Sequence, residues 1–265
     1  MSPMFRHLAA VSVMVAAAQG VAGSASATSL IGLTAEDTLV RIDGEAGRAA
    51  APVRITGADG RVLGIDQRPQ DGKLYGVTER GQIVTIDPAN GRATQVSRLS
   101  MPFESGGRAV VDFNPAANRL RLMGMNGTNF RVNVETGEVV RDGDLKYQDG
   151  SPQAATTPRI TAGAYTNSAS GQTTTTLYTI DSLLGAYNLQ APPNDGVQQV
   201  KGMFGMSVPA SLGFDILADG NGGNMGFVFT GDTLHGIDLA NGKLTATTKL
   251  SGLPAAEVID IAATR

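Results

Sequence analysis

The sequence has no cysteine and no tryptophan, and its 265 residues include only two histidines, His7 and His235. Without thiols the chain forms no disulfide and offers no thiolate to zinc or copper. Any nucleophile–base–acid arrangement would have to use His235, and no Gly-x-Ser-x-Gly elbow accompanies it. A partly exposed strand position is the plainer account of that histidine. Basic clusters are missing too: 21 Lys+Arg are scattered against 24 Asp+Glu, so the footprint of a nucleic-acid binder is absent. No amphipathic helical spacing appears beyond the N-terminal stretch. What is plentiful is glycine, 34 residues, set between short β-rich runs.

Residues 1–27 are a different material. Arg6 precedes an apolar, alanine-rich run from Leu8 to Gly23, and Ala25-Ser26-Ala27 supplies small residues at the positions a signal peptidase reads. The apolar core is short and no stop-transfer charges follow, which predicts a cleaved secretory signal ending at Ala27 rather than an uncleaved anchor. The remainder, residues 28–265, is then one domain with no membrane insertion, in the periplasm or exterior of a bacterium. Removing one Arg leaves 20 Lys+Arg against 24 Asp+Glu, a net charge of −4.

That domain repeats itself. A turn of the form hydrophobic–Asp–x–x–x–Gly occurs in Ile86-Asp87-Pro88-Ala89-Asn90-Gly91 and returns around Asp43, Asn133, Asn188 and Asp238. The five copies are spaced by 44, 46, 55 and 50 residues; the Asn188 copy is lengthened before Gly196. A second column runs through Asp66, Asp112, Tyr165, Asp215 and Asp260, and a third through runs such as Leu74-Tyr75-Gly76-Val77 and Phe227-Val228-Phe229. Each unit reads as four strands rich in Val, Ile, Thr and aromatics and bounded by Gly, Pro and Asn.

Four-stranded units of roughly 40–50 residues are the signature of a β-propeller. Continuous apolar runs fit strands buried on both faces, and Gly64, Gly163 and Gly213 fit crowding near an axis. The chain opens on a second strand (29–33) and closes on a first strand (258–262), so both termini are predicted to complete one blade and remove the open edge. The expected fold is therefore an all-β, five-bladed, monomeric propeller. A sixth blade is the alternative if 143–159 hides strands.

Several long runs resemble one family. Val111-Asp112-Phe113-Asn114-Pro115-Ala116-Ala117-Asn118-Arg119-Leu120-Arg121 and Asn129-Phe130-Arg131-Val132-Asn133-Val134-Glu135-Thr136-Gly137 are similar to the bacterial domain of unknown function numbered 4394. So are 164–168, 173–181 and 192–196. The resemblance implies a secreted or periplasmic propeller-like protein; it implies no activity and supplies no catalytic residue.

Three groups of residues are candidates for chemistry. If the Asp column lies on the innermost strands, Asp66, Asp112, Asp215 and Asp260 converge near one channel mouth, where an oxygen-ligated Ca²⁺ would relieve their repulsion. The same carboxylates can instead accept backbone amides at strand ends, and the sequence leaves both readings open. Arg119, Arg121 and Arg131 share one repeat and are candidates for holding an anionic ligand, against solvated or salt-bridged strand positions. Methionines 123, 125, 203 and 206 offer thioethers, which more often pack blades. The loop 219–223 begins like a calcium loop but has Thr230 where a bidentate Glu is required, so it reads as a strand connection.

Two functional classes follow. The first is a non-catalytic binding or scaffold propeller for a protein or small-molecule ligand. The second is a metal-dependent, lactonase- or lyase-like enzyme using the ring of carboxylates. The scarcity of histidine favours the first.

Overall fold

A computed structural model describes residues 29–205 and 208–264. The expected signal sequence lies outside the described residues, as does Met206. In chain order the strands are β1 (Ser29–Thr34), β2 (Thr38–Asp43), β3 (Arg48–Ala49) and β4 (Val53–Arg54), then β5 (Val62–Gln67), β6 (Leu74–Thr78), β7 (Gln82–Ile86) and β8 (Ala93–Arg98). Next come β9 (Ala109–Asn114), β10 (Arg119–Gly124), β11 (Asn129–Val132), β12 (Val139–Arg141) and the short β13 (Lys146–Tyr147). The chain continues with β14 (Ile160–Tyr165), β15 (Leu177–Asp181), β16 (Ala186–Gln190) and β17 (Val197–Met203). It ends with β18 (Gly213–Ala218), β19 (Asn224–Thr230), β20 (Thr233–Ile237), β21 (Leu244–Lys249) and β22 (Val258–Thr264).

These strands form five sheets, and each sheet is a blade of a five-bladed propeller. Blade 1 runs β22-β1-β2-β3, with β4 also on β2, so the two ends of the chain meet as expected. Blades 2, 3 and 5 are the antiparallel meanders β5 to β8, β9 to β12 and β18 to β21. Blade 4 holds β14 to β17, and its outer edge gains β13 in parallel with β17. The segment 143–159 thus lengthens blade 4 and builds no sixth blade. The innermost strands, β22, β5, β9, β14 and β18, neighbour one another around the axis.

Burial explains the sequence pattern. Inner strands β9, β14 and β18 are almost wholly buried, whereas the outer β8, β12 and β21 are largely exposed. Five apolar clusters fill the five seams between blades, and neighbouring residues of one strand feed different seams. Leu30 packs with Leu217 and Phe229 of blade 5, while Ile31 packs with Ile65 and Val84 of blade 2. A strand serving two seams has no polar face, hence the uninterrupted apolar runs. Leu120, Leu122 and Phe130 meet Tyr75 and Val77 in the seam between blades 2 and 3. Each such side chain contributes roughly 1.5–3 kcal/mol by leaving water.

The repeated turn works as a hinge between third and fourth strands and as a clamp between blades. The Asp87 carboxylate accepts the Ala89 amide at 2.8 Å and the Asn90 side-chain amide at 2.7 Å; Asp238 repeats this with Ala240 and Asn241. Gly91 and Gly137 take φ of 73° and 78°, which favours glycine. Both also press on the preceding blade: a Cβ on Gly91 would strike the Arg54 carbonyl, and one on Gly137 the Arg98 carbonyl. Their own carbonyls accept the amides of Thr56 at 3.0 Å and Ser100 at 2.8 Å in that blade. Asn188 is not a fifth copy of the turn. It lies buried inside β16, and the equivalent turn is 191–196, with a 3₁₀ turn at Pro193–Asp195 and Gly196 in the left-handed region.

Candidate functional site at the hub

The second column of the repeat lies on the innermost strands: Asp66 on β5, Asp112 on β9, Asp215 on β18 and Asp260 on β22. Each carboxylate reaches sideways to a backbone amide of the next blade. Asp260 accepts from Ile65 at 2.9 Å, Asp66 from Phe113 at 2.7 Å, Asp112 from Tyr165 at 2.8 Å and Asp215 from Ala263 at 2.5 Å. Asp66, Asp215 and Asp260 use their second oxygen on the amide that follows them, Gln67, Ile216 and Ile261. Among the described residues the inner strands of neighbouring blades form no ladder with one another, and these side chains join them. Four of the five joints are carboxylates.

The fifth joint, from blade 4 to blade 5, has Tyr165 where the others have Asp. There Ser168, just past β14, takes over: its hydroxyl donates to the Ile216 carbonyl at 2.8 Å and accepts the Ala218 amide at 3.0 Å. Asn167, at φ 59°, supports it through Asn224. Asn167 and Ser168 thereby dock the polar loop that follows β14 on β19 and β18 respectively.

Three of the four carboxylates also converge. One oxygen each of Asp66, Asp112 and Asp215 lies within 4.8 Å of the others, and all three residues are buried. Asp260 stands apart from this trio. Two unit charges at that separation repel by on the order of 3 kcal/mol in a protein-like effective dielectric of about 20. Burial, then the Asp215 charge, raises Asp66 well above the usual carboxylate range, and burial, then Asp66 and Asp215, does the same for Asp112. Burial pushes Asp215 up to about 6 and raises Asp260 strongly, the latter against the nearby Arg108.

The two ends of the hub differ. At the end toward which the inner strands run, a pocket of about 310 Å³ is lined by Asp66, Gln67, Arg68, Ser168, Ser170 and Asp215 among others. Arg68 is itself committed, donating to Glu135 at 2.9 Å and to Asn118, and pairing Asp71. At the other end Arg108, preceding β9, pairs with Glu257, preceding β22, at 3.5 Å. That pair skips blade 2 and crosses the mouth as a chord, joined by a hydrogen bond from Ser211 to Glu257.

The arginines do not form one site. Arg121 is 1% exposed and donates to the Tyr165 hydroxyl, Asn129, Asp142 and Asn194, binding blade 3 to the 191–196 turn of blade 4. Arg131 makes a two-pronged bond to the same Asp142, at 2.8 Å from each nitrogen. Arg119 is exposed and bonds only its neighbour's carbonyl among the described residues. His235 sits on β20 of blade 5, against Thr247 at 3.0 Å, and burial lowers its pKa. Met123 is buried in blade 3, Met125 accepts the Arg108 amide, and Met203 is exposed on β17, so they share no centre. Asp219 caps its own hairpin through the Asn221 and Gly223 amides.

Two elements escape a reading of the sequence. Ser168 leaves no mark because the repeat breaks at blade 4. Arg108 does leave one: Arg61, Arg108 and Arg159 each stand directly before an inner strand. That fourth column is shorter than the others and lies in three blades only.

Among the described residues no helix is long and apolar enough to cross a membrane. No curated protein matches the chain. In three dimensions the chain is similar to a protein of unknown function from Bacteroides thetaiotaomicron VPI-5482, with a TM-score of 0.50 and 17% identity over 88% of this chain and 63% of that one. It is similar also to a protein of unknown function from Bacteroides caccae, with a TM-score of 0.44 and 12% identity over 84% of this chain and 73% of that one. An auxiliary nutrient binding protein from Bacteroides ovatus ATCC 8483 gives a TM-score of 0.45 and 14% identity over 81% of this chain and 57% of that one. At these identities the likeness concerns the fold alone. The family is shown by the sequence itself: residues 38–262 match a family model, and the chain belongs to the family described as Domain of unknown function (DUF4394).

Proposed function

We propose that this protein is exported and acts as a non-catalytic binding module, taking a small polar ligand at the open mouth of its hub. One observation carries the reading: the pocket there gathers hydrogen-bonding groups of both signs, from Asp66, Gln67 and Arg68 to Ser168, Ser170 and Asp215. Its floor is rigid, because the hub carboxylates and Ser168 are already bonded to the backbone of neighbouring blades. A prearranged polar pocket without a nucleophile–base pair suits binding better than turnover. Hydroxyl- or amide-rich molecules match donors and acceptors spaced in this way.

The test is a thermal-shift panel of sugars, amino acids and short peptides. A ligand at a hundred times its Kd adds about 2.7 kcal/mol of stability, well within detection. Ser170 is exposed on the rim, so Ser170→Trp is expected to block the pocket and abolish that shift while leaving the unliganded melting temperature unchanged. A panel without any shift counts against binding here. A calcium-dependent turnover of lactone substrates that Asp112→Asn removes would replace this reading with the enzymatic one.

A further inference from the structure

The hub pocket does not end at the axis. Gln67 and Gly72 in its wall also line a second cavity of about 480 Å³, together with Lys73, Thr85, Arg92 and Thr94 of blade 2 and Ile31 of blade 1. The two cavities follow the seam between blades 1 and 2 and lie one strand apart. Ala263 of β22 faces the hub pocket, and Ile31 of β1, paired with Ala262, faces the outer cavity. The turn between β5 and β6 flanks both and is held in place by Gln67, which donates to the Gly72 carbonyl at 2.9 Å. Arg41 continues the blade 1 wall, since it stands opposite Ile31 in the β1–β2 pair and so on the same face.

The outer end of this groove is basic. Lys73, Arg92 and Arg41 are exposed, and none of them makes an ion pair among the described residues. The acids beside them are engaged elsewhere: Asp71 with Arg68 and the Tyr75 hydroxyl, Asp43 with Arg48 and the Ala46 amide. Asp87 also lines the cavity, but its carboxylate caps its own turn through Ala89 and Asn90. Guanidinium and ammonium groups without a counter-ion, in a concave polar surface, match a carboxylate. We propose that this seam extends the hub pocket and takes an anionic group, so that the ligand is an acidic oligosaccharide of two or more rings lying from the axis to the Asp87 turn. The inference rests on the hub mouth being the binding site. A peptide fits the groove poorly. The edge of β8 is covered there by Thr56, which bonds the Gly91 carbonyl and the Ala93 amide, so no strand can be added. Ile31, Leu74 and Ile86 are buried, which leaves no apolar socket for a side chain.

Titration calorimetry tests this with oligogalacturonates and oligomannuronates of one, two and four rings, beside neutral galactose and mannose oligomers of equal length. A uronate of two or four rings is expected to bind about tenfold or more tighter than its monomer and than the neutral oligomer of the same length. That advantage is expected to shrink as salt is added. Lys73→Gln combined with Arg92→Gln is expected to weaken the four-ring acid roughly tenfold, with the melting temperature of the unliganded protein unchanged. Ser170→Trp is expected to weaken it as well, because the ligand also occupies the hub. Acids that bind no tighter than neutral oligomers, or a double variant that binds as the unaltered protein does, overturn the inference. So does binding that the two glutamines weaken and Ser170→Trp leaves intact, since the seam would then be a separate site. Binding confined to one ring, blocked by Ser170→Trp and indifferent to the two cations, overturns the extension and leaves the hub reading standing. Absence of binding by every oligomer also overturns the extension, while the wider thermal-shift panel decides the hub reading.

Discussion

At the residue scale, glycine and arginine carry most of what is specific to this chain. Gly72 and Gly137 both have positive φ, 69° and 78°, but nothing lies within 4 Å of a Cβ on Gly72, whereas one on Gly137 meets the Arg98 backbone. Gly72→Ala is therefore expected to cost roughly 1 kcal/mol from conformation alone. Gly137→Ala is expected to cost roughly 3 kcal/mol or more, because the turn must also leave blade 2. Urea denaturation of the two variants measures the difference. The arginines separate in the same way. Arg121→Ala removes a partner from Asp142, which is 4% exposed, and is expected to destabilise by roughly 3 kcal/mol. Arg119→Ala, at a solvated strand end, is expected to change stability by less than about 0.5 kcal/mol. A larger effect at Arg119 than at Arg121 would reverse their roles.

At the scale of strands and turns, the joints between inner strands decide how the ring closes. Four use a carboxylate and one uses Ser168, whose hydroxyl both donates and accepts. Ser168→Ala is expected to lower stability by about 1–2 kcal/mol, read from the melting temperature, because it leaves the Ile216 carbonyl and Ala218 amide without that partner. The β22 strand supplies blade 1 with its inner edge, Ile261 to a core seam and Asp260 to a joint. A chain ending at Glu257 is accordingly expected to show no cooperative unfolding by circular dichroism.

Much of this architecture is legible from the residues. The Asp87 and Asp238 turns, the inner-strand Asp column and the strand-sharing between termini all follow from local chemistry repeated at a fixed period. What is not legible has a physical cause. Asn188 fits the column by type and spacing, yet β16 continues past it, since a buried amide inside a strand is indistinguishable in sequence from a turn residue. Ser168 is invisible because the loop solves for blade 4 what a column residue solves elsewhere. The convergence of three carboxylates but not the fourth is a matter of how the blades sit around the axis, which the spacing of the column along the chain does not encode.

At the scale of the whole molecule, two sets of acids act in opposite senses on stability. Glu79 and Asp232 are held low by the Arg61 backbone amide and by Thr233 respectively. Their contribution is present above the ordinary carboxylate range and is lost as pH falls through it, and solvent screening keeps it small. The hub aspartates are raised, so their contribution is full below the ordinary carboxylate range and is lost as pH rises, through about 6 for Asp215, with Asp66 and Asp112 shifted in the same direction by burial. Each proton held by the folded state and not the unfolded one gives a slope of about 1.4 kcal/mol per pH unit. The hub is expected to dominate between pH 5 and 8.

Calorimetric unfolding at pH 6 in buffers of different ionisation enthalpy, with chelator present, counts the protons exchanged on folding. Net proton uptake when the ring closes is the expected result; no exchange, or net release, would contradict hub carboxyl groups raised by burial.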